Sequence, residues 1–272
     1  MEKVFTIIVT YNGMKWLEKC LSSLRESAYP TEVIVVDNGS TDGSIDFIKK
    51  HFPEVHLMES KENLGFGKAN NKGISYALKQ GADYFFLLNQ DAYVLPDTIG
   101  NLINNFKENP EYGVISPIQL KRNLEVETIF HSYIACYPHL LGGYNPLQDY
   151  KNEVLPIKFI NAALWMISKS CIEKVGGFSP LFYHYGEDVD YTNRIKFHHF
   201  KNGVSCNAFG IHDREVKPRL STSEYNKRKK HPGPWPLKYY MILSDPNYSL
   251  YNRGGGSHKV VFSQFNQTSF KI

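Results

Sequence analysis

The stretch "FFLLNQDAYV" (85–94) decides how the chain is read. Phe85 to Leu88 form a short apolar run, the pattern of a buried strand. It stops at Asn89-Gln90-Asp91. A carboxylate inside a core is costly unless something pairs with it, so Asp91 marks either a turn or the seat of a cation. The segments before it bear on that choice. "VFTIIVT" (4–10), "EVIVVD" (32–37) and "VHLMES" (55–60) read as further short strands. Between them, "MKWLEKCLSSLRES" (14–27) sets Trp16, Leu17, Cys20, Leu21 and Leu24 at helical spacing. "STDGSIDFIKKHF" (40–52) opens with helix-capping residue types, and "GFGKANNKGISYALKQG" (65–81) is a helix with a glycine-rich start that ends at Gly81. Strands and helices in strict succession imply a parallel sheet covered on both faces. Such sheets bind ligands beyond the carboxyl ends of their strands. The polar residues gather there, as Thr10-Tyr11-Asn12, Asp37-Asn38 and Asn89-Gln90-Asp91. Asp91 therefore belongs where the sheet opens to a ligand.

The second half is less regular. "TIGNLINNFKENP" (98–110) reads as a helix stopped by Pro110, and "YGVISPIQL" (112–120) as a strand. Residues 121–155, with Pro138, Gly142, Gly143 and Pro146 among aromatics, read as a hairpin or a long loop. "FINAALWMISKSCIEKVGGF" (159–178) reads as a strand, a short helix and a Gly-Gly turn. "EDVDYTNRIKFHHF" (187–200) reads as a helix and "NGVSCNAF" (202–209) as a turn and strand. Beyond about residue 213 the composition shifts to a basic, then proline-rich, then aromatic run (226–240) and a glycine-rich tail.

The 272 residues, 42% hydrophobic, are enough for one large domain or two small ones. A net charge of +4 gives no ground for a nucleic-acid partner. The four cysteines are far apart and form no CxxC pair, which argues against a zinc or disulfide scaffold and for reduced thiols in the cytoplasm. No signal-peptide pattern and no membrane-spanning apolar run is present.

Several residues can carry chemistry. Asp37 ends a strand, where it can accept from a base N–H or a ribose hydroxyl; the plainer reading is that it caps the next loop. Tyr11 can stack on a planar base and Thr10 can bond a ribose, although "TYNG" is equally a turn. "NLGFGKANNKG" (63–73) offers backbone N–H groups to a phosphate. It matches neither the P-loop nor the dinucleotide fingerprint, and close packing of a helix on the sheet explains its glycines as well. Asp91 is a hard oxygen ligand of the kind Mg²⁺ and Mn²⁺ take beside phosphate oxygens. Glu187, Asp188 and Asp190 open a helix whose dipole favours an anion, so one of them can serve as a general base. Asp190 fits a capping role, paired with Arg194. His212 is a metal ligand or an ordinary histidine, and spacing does not choose.

Taken in order, "TYNG", "VVDNGSTDGS", "NLGFGKANNKG", "LLNQDAYV", "INAALWMISKSCIEKVGGF" and "FYHYGEDVDYTNRI" resemble the family 2 glycosyltransferases, and most closely their bacterial rhamnosyltransferase-like members. The likeness covers roughly residues 4–213. It implies the GT-A fold, an α/β nucleotide-sugar-binding architecture with a mainly parallel central sheet flanked by helices. Residues 1–213 would form the catalytic domain, with nucleotide binding in about 1–95 and acceptor binding in about 96–213. Residues 214–272 would be a variable basic and aromatic extension.

The resemblance also implies roles. Thr10, Tyr11 and Asp37 would hold the nucleoside, and Asn63, Gly65 and Asn71 would lie along the ribose and diphosphate. Asp91 would bind the divalent cation, Mg²⁺ or Mn²⁺, with His212 completing the metal site. Asn89 stands on the nucleotide-sugar side in place of the first Asp of the common Asp-x-Asp pattern, which leaves one negative charge fewer. Asp188 would be the catalytic base and Glu187 its orienting neighbour. The implied activity is inverting transfer from a UDP- or dTDP-linked sugar to a glycan or lipid-linked acceptor, in cell-surface polysaccharide synthesis. The expected location is the cytoplasm, with peripheral membrane contact through the C-terminal region. The competing readings are a sugar-nucleotide nucleotidyltransferase and a non-catalytic nucleotide- or carbohydrate-binding module.

Overall fold

The structure, a computed structural model, describes residues 1–214 and 244–247. The basic and aromatic run at 226–240, and with it the expected membrane contact, lies outside the described residues. Among the described residues, no helix is long and apolar enough to cross a membrane.

The first half folds as its periodicity predicts. The order is β1 (Val4–Thr10), α1 (Met14–Arg25), β2 (Glu32–Asp37), α2 (Ser44–His51), β3 (His56–Glu59), α3 (Phe66–Lys79) and β4 (Tyr84–Asn89). These strands pair in parallel in the order β3-β2-β1-β4. The register pairs Thr10 with Asp37 and Val9 with Asn89, which brings the polar strand ends to one level. Alternation along β1 sends Ile7 into one core and Ile8 into the other, so both sheet faces are dry. The two cores are covered by α3 on one face and by α1 and α2 on the other.

The second half departs from the parallel plan. It contains β5 (Ala92–Val94), α4 (Thr98–Glu108), β6 (Tyr112–Leu120), α5 (Thr128–Ile134), a 3-10 turn (Pro138–Leu140), β7 (Val154–Pro156), β8 (Leu164–Ser168), α6 (Lys169–Val175), α7 (Glu187–Phe197) and β9 (Lys201–His212). β8 inserts between β4 and β6 and runs antiparallel to both. β9 runs parallel to β6, while β5 and β7 pair antiparallel along its other edge. The sheet is therefore parallel on the β1–β4 side and mixed beyond it.

Residues 121–155 are not the expected hairpin or plain loop. They include α5, which buries Phe130 and Ile134. Its cap is Glu127, whose carboxylate accepts from the N–H groups of Ile129 (2.9 Å) and Phe130 (2.8 Å). A glutamate is not among the usual capping types, so the helix start carries no conventional signal.

Candidate active site

The loops after β1, β2 and β4 clasp one another at the carboxyl edge of the sheet. Gln90 accepts from the Thr10 hydroxyl (2.7 Å) and the Tyr11 N–H (3.0 Å). Asn12 Oδ1 accepts from Thr41 N–H, and Asp42 accepts from Met14 N–H and from both donors of Ser44. Thr10 is fully buried, whereas the Tyr11 ring is 49% exposed and free to stack on a ligand.

Asp37 ends β2 at the same edge of the sheet. It is fully buried, and its Oδ2 accepts from Gly39 N–H (2.9 Å) and Ser40 N–H (3.0 Å). Its Oδ1 is buried without a hydrogen-bond partner among the described residues, so one carboxylate oxygen is left over from the loop. Asn63 Oδ1 accepts from Gly65 N–H, and the Asn63 carbonyl accepts from the Tyr183 hydroxyl (3.0 Å). Gly65 has φ +77°, and a Cβ there would strike the Tyr183 carbonyl, so no other residue fits this crossing. Asn71 spends both ends of its amide on Phe178, donating to its carbonyl and accepting from its N–H, each at 2.8 Å. That residue ties α3 to the Gly-Gly turn ahead of α7, and the second N–H of its amide is not used in this pair.

Asp91 follows β4 directly. The pairing of Ala92 with His212 sets β9 beside it, and Asp213 N–H donates to the Asp91 carbonyl (2.7 Å). His212 Nε2 lies 3.5 Å from Asp91 Oδ1, and His212 Nδ1 lies 3.2 Å from Gln119 Oε1. Gln119 Oε1 also accepts from Asn161 Nδ2 (3.4 Å). A neutral ring that keeps its proton on Nδ1, toward Gln119, presents the Nε2 lone pair to the carboxylate side, whereas a ring carrying a proton on Nε2 donates to Asp91 instead. In the first form the two Lewis bases fit a shared divalent cation, with the outer hydrogen bond fixing the tautomer. Among the described residues no three His, Cys, Asp or Glu side chains converge on one point. Two protein ligands with phosphate and water making up the rest are, however, ordinary for Mg²⁺ or Mn²⁺. Asn89, at the end of β4, is half-buried and its N–H donates to the Ala163 carbonyl.

Burial works to raise the Asp91 carboxyl, but the hydrogen bond and charge of His212, aided by Arg214, hold it below its usual value. The Arg214 Nε lies over the imidazole, 3.2 Å and 3.3 Å from its two nitrogens.

α7 begins at Gly186, which has φ +93°. Glu187 is 7% exposed and its Oε2 has no protein partner. Burial, reinforced by the neighbouring Asp188, pushes its carboxyl up to about 7. Burial also raises Asp188, against the pull of the Val189 and Ala162 N–H groups and the charge of Arg214. Asp190 takes the plainer role: it is buried and pairs with Arg194 at 2.9 Å, and Arg194 also donates to the carbonyls of Val175 and Gly177.

Asp91 and Asp188 are joined by a short run of neighbouring residues. Contacts run from Asp91 to His212, Gln119 and Asn161, and the next residue, Ala162, donates to Asp188. Arg214 acts electrostatically on both carboxylates. Gln90, Gln119, Asn161 and Arg214 had no assigned role in the sequence. Only Gln119 carried a usable signal, as an amide within β6, whose nine residues are all buried. A buried amide needs partners.

The sheet and its flanking helices are those of the GT-A fold. The solved structures agree on the fold. Residues 1–349 of TarS from S. aureus superpose with a TM-score of 0.60 at 17% identity, covering 91% of this chain and 66% of that one. GalNAc-T7 crystallised with UDP, GalNAc and Mn²⁺ superposes with a TM-score of 0.63 at 15% identity, covering 89% and 48%. The "Glycosyl transferase family 2" model matches residues 6–176, and the chain belongs to that family. Among curated relatives, the N-acetylglucosaminyl-diphospho-decaprenol L-rhamnosyltransferase of Mycobacterium tuberculosis is 28% identical over 211 residues, 70% of this chain and 69% of its own length. The low-salt glycan biosynthesis hexosyltransferase Agl10 of Haloferax volcanii is 25% identical over 234 residues, 83% and 72%.

Proposed function

We propose that the chain transfers a sugar from a UDP- or dTDP-linked donor to a hydroxyl of a glycan or lipid-linked acceptor, with inversion, in cell-surface polysaccharide synthesis. The observation that carries this reading is the run of neighbours joining Asp91 to Asp188, with Arg214 acting on both carboxylates. A glycan product also suits the relatives' names, one of which specifies a diphospho-decaprenol-linked acceptor. TarS has been crystallised with UDP and with UDP-GlcNAc, which supports a uridine donor. In this reading, residues 1–95 hold the nucleotide and 96–213 the acceptor.

Asp188 removes the proton from the acceptor hydroxyl. Its raised affinity for a proton makes it a stronger base than an exposed aspartate. The freed oxygen attacks the anomeric carbon as the bond to the diphosphate breaks, and the nucleoside diphosphate leaves with the electron pair. One displacement by one base inverts the anomeric configuration. Asp91 and His212 would hold a divalent cation, which when bound neutralises charge on the departing diphosphate. Arg214 adds a fixed positive charge beside the same carboxylate. Glu187, which holds its proton to about 7, can donate a hydrogen bond to the acceptor or to Asp188 below that pH. Tyr11 stacks on the base, and the loops held by Thr10, Asp37, Asn63 and Gly65 wall the nucleotide, with Asn89 on the sugar side.

The test is Asp188→Asn. Transfer should fall by at least about 100-fold, the scale of a lost general base, while UDP binding measured by calorimetry stays near wild type. Near-normal turnover in that variant would remove Asp188 as the base.

A further inference from the structure

We infer that the outer edge of β9 carries a second carbohydrate site, apart from the catalytic cleft, that takes a neutral sugar ring. Along that edge β9 pairs with β7 through Gly203–Ser205 and with β5 through Gly210–His212. Neither strand pairs with residues 206–209. There the register against β6 jumps from Ser116–Val204 to Ile118–Phe209, so β9 bulges outward. Ser205 Oγ holds the bulge by accepting from Asn207 N–H (3.3 Å) and Ala208 N–H (3.0 Å). The edge carbonyls of Asn207 and Phe209 accept from Asn101 Nδ2 (2.7 Å) and Thr98 Oγ1 (2.5 Å). With those acceptors engaged, a peptide strand has no free edge to extend.

What remains is a cavity of ≈ 330 Å³ whose lining includes Asp97, Asn101, Tyr144, Asp149, Tyr150 and Phe209. The Tyr144 and Tyr150 rings lie 5.9 Å apart and 14° from parallel, and the Phe209 ring centre is 4.9 Å and 4.5 Å from theirs. Aromatic faces attract the C–H face of a sugar ring, and carboxylates and amides accept and donate to its hydroxyls. Among the described residues the lining holds two aspartates and no Lys, Arg or His, which disfavours a phosphate, a nucleotide or an anionic glycan. Its polar rim disfavours a lipid tail. The volume suits a small ligand. Asp97 caps no helix N–H with its side chain, although it precedes α4, so its carboxylate is not committed to the fold. The three residues of β5 separate Asp91 from the rim at Leu95, four residue steps or about 13 Å at strand spacing. A sugar held here is therefore not the one being transferred. The site rests on its lining alone and goes beyond the catalytic reading.

The experiment uses the full chain and saturation-transfer NMR with maltotetraose, cellotetraose and chitotetraose, with a heparin-derived tetrasaccharide as the anionic control. At least one neutral tetrasaccharide should bind. The Asp97→Asn/Asp149→Asn pair and, separately, Tyr144→Ala should weaken that binding by at least about fivefold, the scale of one lost hydrogen bond. If Tyr144→Ala fails to fold, the double aspartate variant decides. UDP binding measured in the same variants should be unchanged, which separates this site from the donor site. Absence of binding by all three neutral sugars, equal binding by the double variant, or preference for the anionic control would each overturn the inference.

Discussion

Replacing Glu187 by Gln tests the electrostatics of the cleft without altering its shape. Glu187 is the first residue of α7, where the helix dipole favours an anion, yet burial and the adjacent Asp188 outweigh that and move its titration from 4.5 to about 7. The folded chain thus keeps a proton that the unfolded chain releases. Where the unfolded state binds fewer protons, stability falls as pH rises. The stability contributed by protonated Glu187 is fully present below pH 4.5 and is lost as pH climbs through about 7. At about 1.4 kcal/mol for each tenfold change in the ionisation constant, the loss is about 3 kcal/mol. Glutamine has the same shape and cannot ionise. The stability of Glu187→Gln relative to wild type should therefore improve by about 3 kcal/mol between pH 4 and pH 8. For a chain of this size that is a swing of about 6–12 °C in Tm. Thermal unfolding of both proteins across that range measures it, and the titrations of groups that do not interact with Glu187 cancel in the difference. Parallel pH profiles for the two would refute the claim that Glu187 is held neutral by burial.

The remaining expectations concern the metal site and the frame that supports the cleft. Asp91→Ala should weaken UDP binding in the presence of Mn²⁺ and make it insensitive to EDTA; calorimetry with and without chelator checks both, and equal chelator sensitivity in the two proteins would count against the metal role. Gln119→Leu should lower Mn²⁺ affinity by about 10- to 100-fold, the usual effect of losing the group that orients a ligating histidine, and titration of the metal dependence of UDP binding reads it. Asn71→Ala leaves the N–H and the carbonyl of Phe178 without partners, so chemical unfolding should show a loss of about 2–4 kcal/mol, whereas an unchanged midpoint would mean that water replaces both bonds.

The parallel half of the protein was legible because its determinants are local. Alternating apolar runs and helical stripes between residues 4 and 89 set β1 to β4 and α1 to α3, and polar strand ends in a parallel sheet must share one edge. The sequence also marked Asp91 and the acidic start of α7, since a carboxylate that ends an apolar run, or opens a helix, stands out wherever it occurs. Other features depended on surfaces that meet only in the folded chain. β8 reverses direction because the excursion through α5 and β7 returns it to the gap between β4 and β6, and no periodicity encodes strand direction. Asn71 and Phe178 lie 107 residues apart and Gln119 and His212 lie 93 apart. Whether an amide serves a ligand, a loop or a histidine ring depends on which donors and acceptors the tertiary packing leaves beside it. Asp37 shows both sides of this: the backbone N–H groups of Gly39 and Ser40 take one carboxylate oxygen, and the other is left without a partner among the described residues.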